Sequence, residues 1–307
     1  MDADRGEICR RAFLCGAAAA GLGGLSGCAG VVGSGGQRPT PVSILAAGSL
    51  NNAFENGLRS DLETPIQIEA HGSARVARMV AEGQKDPDIV AVADTALFDG
   101  PLRPSWFAEF ATNSVVLAYD SGSDGGERVA AAGSDGWFRP LLDGSVSLGR
   151  TDPDVDPLGY RTLFVLELAS EHYDTDVDLR AEIPTREQLF PETQLVSQFE
   201  TGSIDAAVTY RNMAVERGYE FVELPAAIDL SDPARADDYV TASYELPSGT
   251  VVSGGPISYA STARKMNATV THAFDAQISG TYLSDFGFSV PDDYPTFSGN
   301  VPDEIID

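Results

Sequence analysis

The chain has 307 residues, 43% of them hydrophobic, and carries 46 acids against 20 bases for a net charge of −26. That length supports a substantial core and about two domains at ~150 residues each, and the apolar content excludes a disordered chain. No apolar run reaches the ~20 residues needed to cross a bilayer, and the acidic balance weighs against a nucleic-acid partner.

Only Lys85 and Lys265 are lysines, so the remaining bases are arginines. The acids are spread along the chain, which fits adaptation to concentrated salt. Carboxylates retain water, and self-repulsion is screened when the Debye length falls to ~3 Å at 1 M. An acidic surface built for a cationic partner is the alternative.

Arg10-Arg11 precede an apolar, Ala- and Gly-rich stretch from Ala12 to Leu25, the pattern of a twin-arginine signal. The stretch ends Leu25-Ser26-Gly27-Cys28, which resembles a lipobox, so residues 1–28 read as an export signal ending in a lipidated Cys28. Cys9 and Cys15 fall within that signal. The mature domain therefore keeps one cysteine, which excludes a disulfide framework and a Cys-based metal site. Residues 29–41, rich in Gly, Ser and Pro, read as a flexible tether.

From Val42 the chain alternates strand and helix signals. Val42–Ala46 is a short apolar run ending at Gly48-Ser49, followed by a helical stretch over Asn51–Leu62. Pro65–Ala70 is the next strand, ending at Gly72-Ser73, and Ser73–Gln84 places Val76, Met79 and Val80 at helical spacing. Asp88–Ala93 is a third strand. Strands alternating with helices predict a parallel sheet wound in the α/β manner. Ser114–Tyr119 reads as a strand leaving the first lobe, Ser123–Gly136 as loop or short helix, and Val146–Leu148 as a strand. Gly159–His172 is an apolar, buried helix, and Ile204–Thr209 and Tyr219–Leu224 are strands. Val251–Val252 and Pro256–Ala260 return to the first lobe, and Ala263–Ile278 is a late helix. No internal repeat is visible. The expected fold is α/β with two lobes, each a mainly parallel sheet flanked by helices. Residues 42–118 and 250–307 form lobe 1 and residues 119–249 form lobe 2, with crossings near 118–120 and 248–254.

The chemistry concentrates at strand ends. Ala47-Gly48-Ser49 and His71-Gly72-Ser73 each end a strand and open a helical segment. A helix N-terminus offers unpaired N–H groups and roughly half a positive charge, glycine lets the backbone approach, and serine adds a hydroxyl donor. Each serine read alone is an N-cap; two such turns after successive parallel strands point to an anion site at the crevice of the sheet.

The chain resembles the molybdate/tungstate-binding proteins of ABC transporters, the archaeal type in particular. The resemblance runs through Ala46-Ala47-Gly48-Ser49-Leu50, Glu69-Ala70-His71-Gly72-Ser73, Asp88–Asp94, Asn113–Tyr119 and Asp156-Pro157-Leu158-Gly159-Tyr160-Arg161. It continues over Pro191–Leu195, Ile204-Asp205, Tyr210-Arg211, Phe221–Pro225 and Ile228-Asp229-Leu230, in order and with similar spacing. It implies a type II periplasmic-binding-protein fold whose lobes close on one oxyanion. It also implies that Ser49 and Ser73 hydrogen-bond the anion, that Tyr210 stands near it, and that Asp156 and Glu192 reach the Mo or W atom and make it six-coordinate. Thr95 stands where relatives often carry an aromatic, Thr185–Phe190 is a short spacer, and similarity is loose from Tyr282 onward.

Two carboxylates beside a dianion repel it unless the central atom accepts their oxygens. Hexavalent Mo and W can expand their coordination; S in sulfate and P in phosphate do not. The expected function is thus an extracytoplasmic, lipid-anchored, monomeric receptor that hands molybdate or tungstate to a membrane permease, without cofactor or catalysis. A receptor for sulfate or phosphate is the alternative within the binding class, and a secreted hydrolase the alternative outside it. The histidines (His71, His172, His272) fit no catalytic motif, and no P-loop, H-E-x-x-H or G-x-G-x-x-G is present. Asp152, Asp154 and Asp156 mimic the start of an EF-hand loop, but Pro157 and Leu163 replace its Gly and Glu. Asn267-Ala268-Thr269 is a glycosylation triplet of low specificity.

Overall fold

The computed structural model describes residues 40–247 and 249–306. The expected export signal, Cys28 and the tether up to residue 39 lie outside the described residues. Twelve strands follow in chain order: β1 (Val42–Ala47), β2 (Ile66–His71), β3 (Ile89–Val92), β4 (Trp106–Asn113), β5 (Val115–Tyr119), β6 (Leu148–Gly149), β7 (Ala206–Tyr210), β8 (Glu220–Glu223), β9 (Ser243–Glu245), β10 (Val251–Ser253), β11 (Ile257–Ala263) and β12 (Thr296–Gly299). They form a six-stranded sheet in the order β12-β4-β11-β3-β1-β2, a four-stranded sheet β6-β7-β5-β8 and a separate β9-β10 pair.

The sheets are mixed, not mainly parallel. In the first sheet β1 pairs parallel with β2 and β3, whereas β11 and β12 join antiparallel. In the second, β6 and β7 are parallel while β5 is antiparallel to both neighbours. Parallel pairs are those closed by a helical crossover; the antiparallel ones involve strands that bring the chain in from the other sheet or the C-terminus. The first crossing lies at Ser114, between β4 and β5, earlier than the expected position near residues 118–120, because all of β5 pairs within the second sheet. The return begins at Ile257, since Val251–Ser253 pairs with Ser243–Glu245 and not with the first sheet.

Burial explains the central strands. Every residue of β3 and of β11 is buried, so both read as continuous apolar or small runs, as strands covered on two faces do. Leu50, Phe54 and Leu58 on the helical segment after β1 fill the core beneath, and Trp106 meets Phe274 edge-on at 5.1 Å. In the second sheet the helix Pro157–His172 supplies the core with Leu158, Phe164, Val165, Leu166 and Ala169. Residues 124–136 are helical with a break at Gly133, where φ is +58°, so the Gly-rich stretch forms more helix than its composition indicated.

The sheets share a local device. In the first, Ser43 N–H and Ser43 Oγ both donate to Asp88 Oδ2 at 2.8 and 2.7 Å, and Asp88 N–H returns to Ser43 Oγ at 3.0 Å. In the second, Ser147 N–H and Oγ donate to Asp205 Oδ2 at 2.8 Å each, and Asp205 N–H returns to Ser147 Oγ at 2.9 Å. Each clasp joins the starts of two parallel neighbouring strands, so a structural correspondence exists where the sequence shows no repeat.

Candidate functional site

Because β1 and β2 pair in register, with Ala47 opposite His71, the two Gly-Ser turns leave the sheet side by side. Ser73 opens the helix Ser73–Ala81. Arg75 and Val76 N–H both bond Gly72 O, leaving the N–H groups of Ser73 and Ala74 without an intrahelical acceptor. Ser73 Oγ accepts from Ala93 N–H at 3.0 Å, at the end of β3. Ser49 Oγ accepts from Tyr259 Oη at 3.1 Å. Each hydroxyl thus has an oxygen lone pair already occupied by a protein donor and a proton of its own to give. Both serines are half-buried.

On the second sheet, Asp156 N-caps the helix Pro157–His172: Oδ1 accepts from Leu158 N–H at 2.8 Å, and Pro157 occupies the first helical position. The turn before it is held tightly. Asp156 N–H bonds Asp152 O at 2.9 Å, and a Cβ on Gly159 would lie 2.5 Å from the Asp152 carbonyl carbon, so only glycine lets the helix sit on that turn. Burial raises the Asp156 pKa, offset only partly by the Leu158 N–H, the Thr151 hydroxyl and the charge of Arg161. The Thr151 hydroxyl stands close by, itself buried and outside hydrogen-bond geometry with any described residue. Asp156, Thr151, Phe190 and Pro191 line a cavity of about 300 Å³.

The sequence reading passed over Arg161. It lies one turn into the same helix, half-buried, and its Nη1 donates to Tyr210 Oη at 2.6 Å with the guanidinium 5.7 Å from the Tyr210 ring centre. Burial works against its charge, but Tyr210, Tyr160 and Asp94 around it outweigh burial and hold it protonated. Asp94 follows Ala93 at the end of β3, so Arg161 of the second sheet faces the end of the first. It also acts on Asp156 and on Tyr259. No described carboxylate lies within 4.0 Å of it. The signal was available: a single cation in the first turns of a helix that carries no other charge before Glu167.

The structure therefore brings Ser49, Ser73, Asp156 and Tyr210 to the ends of strands from both sheets, joined through Arg161 and Tyr259. The backbone of Glu192 opens the helix Glu192–Glu200 directly after Pro191 of the Asp156 cavity; the expectation for its carboxylate lies outside the described residues. Asp152, Asp154 and Asp156 have separate duties, Asp152 accepting from Asp154 N–H, Asp154 from Tyr244 Oη and Asp156 from Leu158 N–H. Among the described residues no three His, Cys, Asp or Glu side chains group as a metal site. His71 pairs with Glu69, which also takes Lys85.

The sequence profile of bacterial extracellular solute-binding proteins matches residues 45–263. A Haloferax volcanii protein, provisionally named an ABC transporter molybdenum-binding protein, is 52% identical over 303 residues and 98% of each chain. The molybdate/tungstate-binding protein of Pyrococcus abyssi is 30% identical over 266 residues, 75% of this chain and 77% of that one. The Azotobacter vinelandii periplasmic molybdate-binding protein superposes with a TM-score of 0.51 at 14% identity, over 82% of this chain and 100% of that chain. That last likeness is one of fold.

Proposed function

Because the chain belongs to the bacterial extracellular solute-binding protein family, we propose that it captures molybdate or tungstate between its two sheets and delivers the anion to an ABC permease. The observation that carries this reading is Asp156: a half-buried carboxylate with a raised pKa, set among hydroxyl donors at converging strand ends. A sulfate receptor, whose anion carries no proton to donate, gains nothing from such a group. A Mo or W centre gains an oxygen ligand, with Glu192 as the second. Ser49 and Ser73 donate to the oxo groups, Tyr210 stands beside them, and Arg161 supplies the positive charge that brings a dianion near two carboxylates. The names of the Haloferax and Pyrococcus relatives support the ligand class.

In this reading the two lobes, expected as residues 42–118 with 250–307 and as 119–249, close over the anion, with their boundaries taken at Ser114 and Ile257, where the chain passes between the sheets. The protein acts as a monomer, exported by the twin-arginine route and held at the outer membrane face through Cys28, without catalysis. Its acid excess keeps it soluble in concentrated salt, where screening leaves recognition to short contacts.

Calorimetry in concentrated KCl with tungstate, molybdate and sulfate tests it. Tungstate and molybdate are expected to bind and sulfate to fail. Asp156→Asn and Glu192→Gln are each expected to lower tungstate affinity roughly 100-fold without lowering the melting temperature. Full affinity in either variant, or preference for sulfate, overturns the assignment.

A further inference from the structure

Ser49 is held by a chain of hydrogen bonds whose direction is set by the backbone. Asn113, at the end of β4, accepts through Oδ1 from Ser114 N–H at 2.9 Å and from Asn212 N–H at 3.4 Å. Two backbone donors on one atom identify that atom as the carbonyl oxygen, so the amide cannot be turned round. Its Nδ2 then donates to Asn212 Oδ1 at 2.8 Å and to Tyr259 Oη at 3.2 Å. With that lone pair occupied, Tyr259 gives its own proton to Ser49 Oγ. Asn212 closes the circuit by donating from Nδ2 to Ser49 O at 3.3 Å. Asn113, Asn212 and Tyr259 are 0%, 3% and 2% exposed, so water does not compete for these bonds. Asn212 stands two residues beyond Tyr210, and the circuit thereby joins the two halves of the site.

We propose that Tyr259 and Asn113 are positioning residues that fix Ser49 as a hydrogen-bond donor to the captured oxyanion. The inference rests on the oxyanion reading above and adds the reason its donor is preorganised. A serine hydroxyl free to rotate divides its proton among several directions; one that must accept from Tyr259 has its proton turned away from the protein. An anion without protons can only accept, so this fixed polarity strengthens its capture. Ser73, which accepts from Ala93 N–H, is set the same way by a shorter route.

The test is a double-variant cycle read by tungstate titration on wild type, Tyr259→Phe, Ser49→Ala and the pair combined. Tyr259→Phe removes only a hydroxyl and is expected to weaken tungstate binding about tenfold. Combined with Ser49→Ala it is expected to add nothing further, because Tyr259 acts through Ser49. Losses that add, or unchanged affinity in Tyr259→Phe, overturn the inference while leaving the oxyanion reading intact. A wild-type protein that binds neither tungstate nor molybdate overturns both. Thermal melts confirm that each variant is folded.

Discussion

The aspartates of the clasps and the aspartate of the cleft are chemically the same group in opposite circumstances. Asp88 and Asp205 are each gripped on one oxygen by a serine N–H and hydroxyl. Burial works to raise both pKa values, and the serine donors, with Lys265 beside Asp88 and Arg128 beside Asp205, outweigh it and hold both low. Asp156 has one backbone N–H, at the head of its helix, against similar or greater burial, and its pKa is raised. The clasps are finished pieces of structure, each carboxylate's charge answered within the fold. Around Asp156 the Leu158 N–H, Thr151 and the charge of Arg161 do not outweigh burial, and that deficit is what a ligand can fill. The difference separates carboxylates whose charge the fold answers from one whose charge it leaves partly unanswered at the proposed anion site.

The largest effect that sharpens this contrast is on stability. Asp205→Ala removes the acceptor of the Ser147 N–H and hydroxyl and opens space against Gly125, whose Cβ, if present, would lie 2.3 Å from the Asp205 carboxyl carbon. Losing these bonds to a charged acceptor, replaced in part by water at the exposed Ser147, is expected to cost about 2 kcal/mol, seen as a lower denaturation midpoint, with unchanged tungstate affinity in the fraction that stays folded. Asp156→Asn is expected to do the reverse, because asparagine caps the helix as well and no buried charge is left. If the two variants changed stability and affinity in the same proportions, the distinction would fail.

Much of this was legible in advance. Short apolar runs ending in Gly-Ser located β1 and β2, and Val76, Met79 and Val80 at helical spacing located the helix that carries Ser73. β4 went unseen because Trp106-Phe107-Ala108-Glu109-Phe110-Ala111-Thr112-Asn113 alternates for its first half only; from Phe110 on, both faces are buried. Pairing by β9 and β10 was illegible since three-residue strands leave no periodicity. Ser49, Ser73, Asp156 and Tyr210 came forward as candidates through family resemblance and turn chemistry, all local in sequence. Arg161, Tyr259, Asn113 and Asn212 were not, because their roles arise between residues 49 to 210 positions apart: Arg161 to Tyr210, Asn113 to Asn212 and Tyr259 to Ser49. No window on the chain contains those partners.

A fourth aspartate tests the contrast more gently. Asp229, 8% exposed, accepts from Ser231 N–H at 2.9 Å, but lies near Asp232 and Glu223 without a cation on it. Burial, then those acids, push its pKa up to about 6. The folded protein therefore keeps this proton to about pH 6, whereas the unfolded chain releases it near pH 4. The burial costs nothing below the lower value, and its cost grows between the two and is complete above the higher. Asp229→Asn, which keeps the acceptor for Ser231, is expected to stabilise the protein by about 2 kcal/mol at pH 8 and not at all at pH 4. Melts of both proteins across that range check it; a gain independent of pH would show that charge is not the cause.

The smallest effect is the most specific to the cleft. If the Asp156 carboxylate binds the metal atom, it must be deprotonated to do so, and its raised pKa moves the onset of failure to less acid conditions than an ordinary aspartate would give. Tungstate affinity is then expected to fall several-fold on acidification from pH 8 toward pH 5, by no more than about tenfold per pH unit for one proton. Sulfate, which meets Asp156 only as a repelling charge, is expected to do the opposite and gain whatever weak binding it has as that charge is neutralised. The two anions carry the same charge, so screening and long-range attraction change alike for both, and only contact at the central atom separates them. Titrations of each at fixed ionic strength, dilute enough to keep tungstate monomeric, decide the matter by sign. Parallel slopes would place Asp156 with the clasps, as a group that shapes the fold and takes no part in holding the anion.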